Sequence, residues 1–180
     1  STPVIITADD AEMDAAKELF KNDVAYATAD PIDVEVVKTT VAGSLNDDQK
    51  MALVVSKAAC EALAGIDKTS TAYTNYGEAE GALVGVLSSN KPDDIRLAAL
   101  VALARIGSTT AIDGVLDTFN KTANATSVRV AAALALGGIL TGQAAPASVF
   151  DALLDGLGDE AREVRAGAGV ALGSMVLTAE

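Results

Sequence analysis

Three stretches of this chain, "IRLAALVALARI" (95–106), "VRVAAALALGGI" (128–139) and "VRAGAGVALGSM" (164–175), superimpose without an internal gap. Their arginines, Arg96, Arg129 and Arg165, recur at intervals of 33 and 36 residues. Recurrence at such a period marks a stacked array, in which each supersecondary unit buries its apolar face against the next. A weaker copy, "VSKAACEALAGI" (55–66), lies upstream and carries Ser56 where the others have arginine. Shorter amphipathic segments come between: "DVEVVKTTVAGSL" (33–45), "YGEAEGALVGVL" (76–87), "AIDGVLDTF" (111–119) and "SVFDALLDGL" (148–157). Turn-forming runs ("SSNKPDD", "KTANATS", "GDEARE") precede the three strong copies. Each unit therefore reads as two helices, an outer A and an inner B.

The B segments have no evident wet side. At about 100° per residue, the first, fifth, eighth, ninth and twelfth positions of each copy share one arc. In the middle copy these are Val128, Ala132, Ala135, Leu136 and Ile139, the stripe expected to face the A helices. The third, seventh and tenth positions point the opposite way. They are Leu97, Val101 and Ala104, then Val130, Leu134 and Gly137, then Ala166, Val170 and Gly173, all apolar or glycine. Only the weak copy places an ordinary solvated pair there, Lys57 and Glu61. A helix that is apolar all round is a buried helix. The expected arrangement has amphipathic A helices outside and doubly apolar B helices inside, their second stripes joined into one apolar concave surface. Full burial of Leu97, Val101, Val130, Leu134 and Val170 is worth on the order of 10 kcal/mol at most. Such a surface needs a cover.

The pattern Val/Ile-Arg-x-x-Ala-x-x-Ala-Leu-Gly/Ala-x-Ile resembles the second helix of HEAT repeats, in particular the short bacterial kind of bilin-lyase-like proteins. The resemblance implies an all-α chain, a right-handed αα-superhelix (HEAT-like solenoid) of about four helix pairs over residues 31–180. It also implies that the arginines are structural, each pairing with an acid near the preceding turn to join adjacent repeats. Asp93 and Asp94 suit Arg96, and Glu160 or Glu163 suits Arg165. Arg129 has no acid nearby in sequence, so its partner must come from a neighbouring repeat.

Residues 1–30 form a distinct N-terminal extension, with a short strand-like run, "PVII" (Pro3–Ile6), followed by a helix. Thr7 is placed to cap that helix, whose acids precede its lysines and whose apolar face is Met13, Ala16, Leu19 and Phe20. Ser1 in place of an initiator Met implies a processed chain or a piece of a longer one. No signal peptide is visible, and no apolar run is long enough to span a bilayer.

Composition removes several classes of function. Thirteen basic against twenty-five acidic residues, a net charge of −12, set a field that repels a phosphate backbone, so no nucleic-acid partner is expected. The absence of histidine takes away the commonest general base and metal ligand. Cys60, the one cysteine, reads as a small buried hydrophobe and leaves the compartment open, the cytoplasm being the default. Asp151, Asp155 and Asp159 fall four apart, but glycines interrupt the helix and a solvated edge is expected. Tyr73 and Tyr76 are read as packing at a helix start. No catalytic residue, metal site or resident cofactor is expected. Among repeat proteins of this kind, the His-Glu motif of hydroxylases and the basic, aromatic cleft of DNA glycosylases are both missing.

The resulting expectation is a non-catalytic interaction scaffold whose inner-helix face, Leu97, Val101, Val130, Leu134, Ala166 and Val170, docks a protein partner or mediates self-assembly. Three covers for that face stay open: the chain's own N-terminal extension, a second copy or adjoining repeats, and a foreign helix or apolar small molecule. The alternative function is a lyase-like or accessory protein that holds an apolar cofactor or chromophore in the groove.

Overall fold

The computed structural model describes residues 47–65, 76–89 and 91–176. The N-terminal extension, the segment at 33–45, Tyr73 and the side chain of Tyr76 lie outside the described residues. Among the described residues seven α-helices follow one another: α1 (Asp47–Ala64), α2 (Tyr76–Ser88), α3 (Asp93–Ile106), α4 (Ile112–Asn120), α5 (Thr126–Ile139), α6 (Ala147–Gly156) and α7 (Arg162–Ser174). A 3₁₀ turn, Thr109–Ala111, leads into α4.

Local chemistry sets the boundaries. Pro92 and Pro146 stand at the N-caps of α3 and α6, where the missing amide hydrogen costs no helical bond. Asp93 and Asp94 occupy the first turn of α3, the end of the helix dipole that favours negative charge. Between α3 and α4, Ser108 accepts a hydrogen bond from the Thr110 amide and donates to Glu80 of α2. Glu80 is buried and also takes the Ser108 amide at 2.9 Å, so a carboxylate inside α2 fixes the next corner of the chain.

The repeated copies are α1, α3, α5 and α7, and they touch in succession along one layer. The second layer is α2, α4 and α6, each packed on the repeated helix that follows it in sequence. Buried leucines and valines fill the space between the layers, among them Leu83, Leu103, Val115, Leu136, Leu153 and Val164. Where neighbouring repeated helices cross, the residues are small. A Cβ added to Gly138 would stand 2.5 Å from the main-chain oxygen of Ala104, and one on Gly137 would stand 2.9 Å from the Cα of Ala171. Glycine at these points lets α5 lie backbone to backbone against both α3 and α7.

That sandwich accounts for the helix with no wet side. After its first turn, Leu134 is the sole exposed residue of α5. Gly137, expected to point outward, is buried under α7, and Val130 is half-buried against Gly167 of α7. In α5 the third and tenth positions thus face α7, while the seventh is directed out of the layer.

Candidate interaction surface

The seventh positions form the exposed part of the anticipated surface. Val101 on α3 is 53% exposed, Leu134 on α5 is 42% exposed and Val170 on α7 is 62% exposed, one apolar side chain from each successive helix. Leu97 and Val130 are half-buried and pack on the core, while Ala166 is exposed because no described helix follows α7. The six residues therefore divide between two roles. The continuous stripe expected from the helical period is, on the three strong copies, a row of three separated contacts. Its energetic worth shrinks accordingly, from about 10 to roughly 3–5 kcal/mol for full burial of the three partly covered side chains.

At one end the row opens into a groove of ≈460 Å³ between α1 and α3, lined by Lys57, Glu61, Ala64, Asp94, Leu97 and Val101. The Lys57 ammonium reaches Asp94 of α3 at 3.4 Å, a partner beyond the Glu61 that its spacing suggests. Apolar floor and charged rim make this groove the amphipathic end of the surface.

The arginines lie away from the row, at the ends of the helices, and each is a fastening. Arg96 pairs with Asp93 at 2.6 Å and donates to the Asn124 side chain, 28 residues on, at 3.0 Å. Asp94 takes no part, since its carboxylate accepts from the Ile95 amide and meets Lys57. Arg129 finds the distant acid its sequence context called for: Asp159, 30 residues on, at 2.6 Å. Its Nε donates to the carbonyl of Phe119, and its guanidinium carbon lies 5.7 Å from the centre of the Phe119 ring. Asp159 is therefore no part of a solvated acidic edge. The hydrogen bond from Arg129, then the one from the Ala161 amide, holds its carboxyl below the ordinary aspartate range against the opposing effect of burial. Arg165 departs from expectation, donating to the main-chain carbonyls of Asp159 and Glu160 and not, among the described residues, to a carboxylate.

Two ionisable side chains escaped the sequence reading, Glu80 and Lys91, both buried. An acid, Glu80, set between the small residues Ala79 and Gly81 of "YGEAEGALVGVL" was the available signal for the first; "NKPDD" reads only as a turn and hides the second. Cys60 is 4% exposed on α1. Among the described residues, no group of three His, Cys, Asp or Glu is placed to hold a metal ion, and no helix is long and apolar enough to cross a membrane.

The described residues are all-α. This all-α chain is similar to a crystal structure of an engineered protein from the Northeast Structural Genomics Consortium, at 23% identity and a TM-score of 0.51, with 94% of this chain and 77% of that chain covered. The likeness bears on the fold alone. No protein-family model and no curated protein matches the chain.

Proposed function

We propose that this chain is a non-catalytic interaction scaffold, a right-handed αα-superhelix of HEAT-like repeats. Its docking surface is the row Val101, Leu134 and Val170 with the adjoining α1–α3 groove. The observation that supports this reading most is the repetition of an exposed β-branched or leucine side chain at one register position of three successive helices. Among the described residues, that position is an exposed one on each of these helices, outside the buried core. The partner that suits the surface is an amphipathic helix of another protein, its apolar side on the row. Basic flanks on that helix would meet the acidic field of a chain with net charge −12.

The test is the double substitution Val101→Asp with Leu134→Asp. Proteins retained by the wild-type chain on an affinity column are expected to be lost by the variant, whose helical circular dichroism and melting temperature stay close to wild type. Unfolding of the variant would assign the row to the chain's own core and end this reading. Visible absorbance in the purified protein would instead favour the lyase-like alternative with an apolar chromophore in the groove.

A further inference from the structure

We infer that the α6–α7 end of the molecule is a self-association face that joins two copies across a twofold axis. This face meets the outward row at Val170 of α7, and Val101, at the other end of the row, tells the two readings apart.

The face has the composition of an internal interface, but no described element covers it. On α4, Ile112, Leu116 and Phe119 form a ridge, with Ile112 and Phe119 buried and Leu116 half-buried. The ring of Phe119 bears on Gly156 of α6, where an added Cβ would come within 2.7 Å of it. On α6 and its C-cap residue the same spacing gives Phe150, Leu154 and Leu157, and all three are exposed, Leu154 by 50%. The same shift runs along the other layer. Val130 and Gly137 of α5 meet α7, and Ala133 between them is fully buried. The matching residues of α7, Ala166, Gly169 and Gly173, are all exposed, and a Cβ added to Gly173 would meet nothing within 4 Å. Val176, just past the helix, is exposed as well.

A second copy is the occupant that fits. The face is a ridge of large side chains on α6 beside a flush floor of small ones on α7. Rotation about a twofold axis parallel to the helices sets each α6 over the other copy's α7, ridge into floor, as an isologous interface requires. Any other helix pair would have to bring a matching ridge and floor of its own. Two helices of this length offer a face about 20 Å square, on the order of 1,000 Å² buried in total, which is the low end of specific interfaces and suits a reversible dimer.

The experiment is light scattering and sedimentation on the full chain across about 1–500 μM, the range suited to an interface of this size. The mass is expected to rise from 18.1 kDa to twice that value. Leu154→Glu, which puts a charge on the ridge, and Gly173→Leu, which fills the floor, should each weaken the dimer by about 30-fold or more with circular dichroism unchanged. Val101→Glu, on the outward row, should leave the dimer as it is. A monomer throughout the range would overturn the inference. So would a dimer indifferent to both ridge and floor substitutions, one abolished by Val101→Glu, or growth beyond two copies.

Discussion

Arg129 is the residue on which three elements converge. From α5 it holds the end of α4 through the Phe119 carbonyl and the segment before α7 through Asp159. A buried guanidinium needs such saturation, because each donor left without an acceptor costs about 1–3 kcal/mol. Arg96 is less complete, as its Nε is buried with no partner. The Arg129–Asp159 pair also gives the fold a dependence on acid. Because the folded-state value of Asp159 lies below its ordinary 3.8, the pair's stabilisation is fully present above that value and is lost as pH falls through the lower, folded one. Asp159→Asn is therefore expected to cost about 1–2 kcal/mol in urea titrations at pH 7. The gap from wild type should close progressively below the ordinary aspartate value. A gap that persists undiminished at pH 2 would show that the carboxylate charge contributes nothing.

At the scale of the helix, small residues divide into those that permit contact and those that merely weaken. Gly138 lies against the main chain of Ala104, which cannot yield, so Gly138→Ala should destabilise by about 1–3 kcal/mol through overpacking. Gly85 on the exposed side of α2 has open space around it, and Gly85→Ala should stabilise by about 0.5–1 kcal/mol through helix propensity. Thermal melts of the two variants should move in opposite directions, and a shared direction would contradict the packing described here. The helices themselves were legible in the sequence: the segments at 76–87, 95–106, 128–139 and 164–175 lie within or across α2, α3, α5 and α7. The partial misreading concerned faces. A helical period gives the angle at which Val130 or Gly137 leaves its axis, but not which neighbour waits there. In a layer of like helices each one is flanked on both sides, so two apolar stripes need no external cover. The ridge on α6 was missed for the same reason: an A helix was credited with one partner, and α4 packs on three helices, α2, α5 and α6.

Across the whole molecule, cover decreases from the centre of the described array toward α6 and α7. Helix α5 touches α3, α4 and α7, whereas α6 carries three exposed apolar residues and few contacts beyond α7. Local stability should follow. In hydrogen-exchange mass spectrometry of the dilute protein, peptides covering Ala132–Leu136 should be the slowest to exchange and those covering α6 markedly faster. Equal protection of the two would mean that the chain opens only as a unit. The fastenings have a similar polarity, since Arg96 and Arg129 each reach 28 to 30 residues onward while Arg165 turns back to its own loop.

The outward row also carries a metric. Neighbouring helices in a packed layer lie about 8–10 Å apart, so Val101, Leu134 and Val170 mark a ruler with that division. An α-helix laid across the layer advances about 1.5 Å per residue and comes into phase with such a ruler roughly every seven residues. A ligand helix for this scaffold would thus be recognisable from its own primary structure, by bulky aliphatic side chains recurring at heptad intervals over two to three heptads.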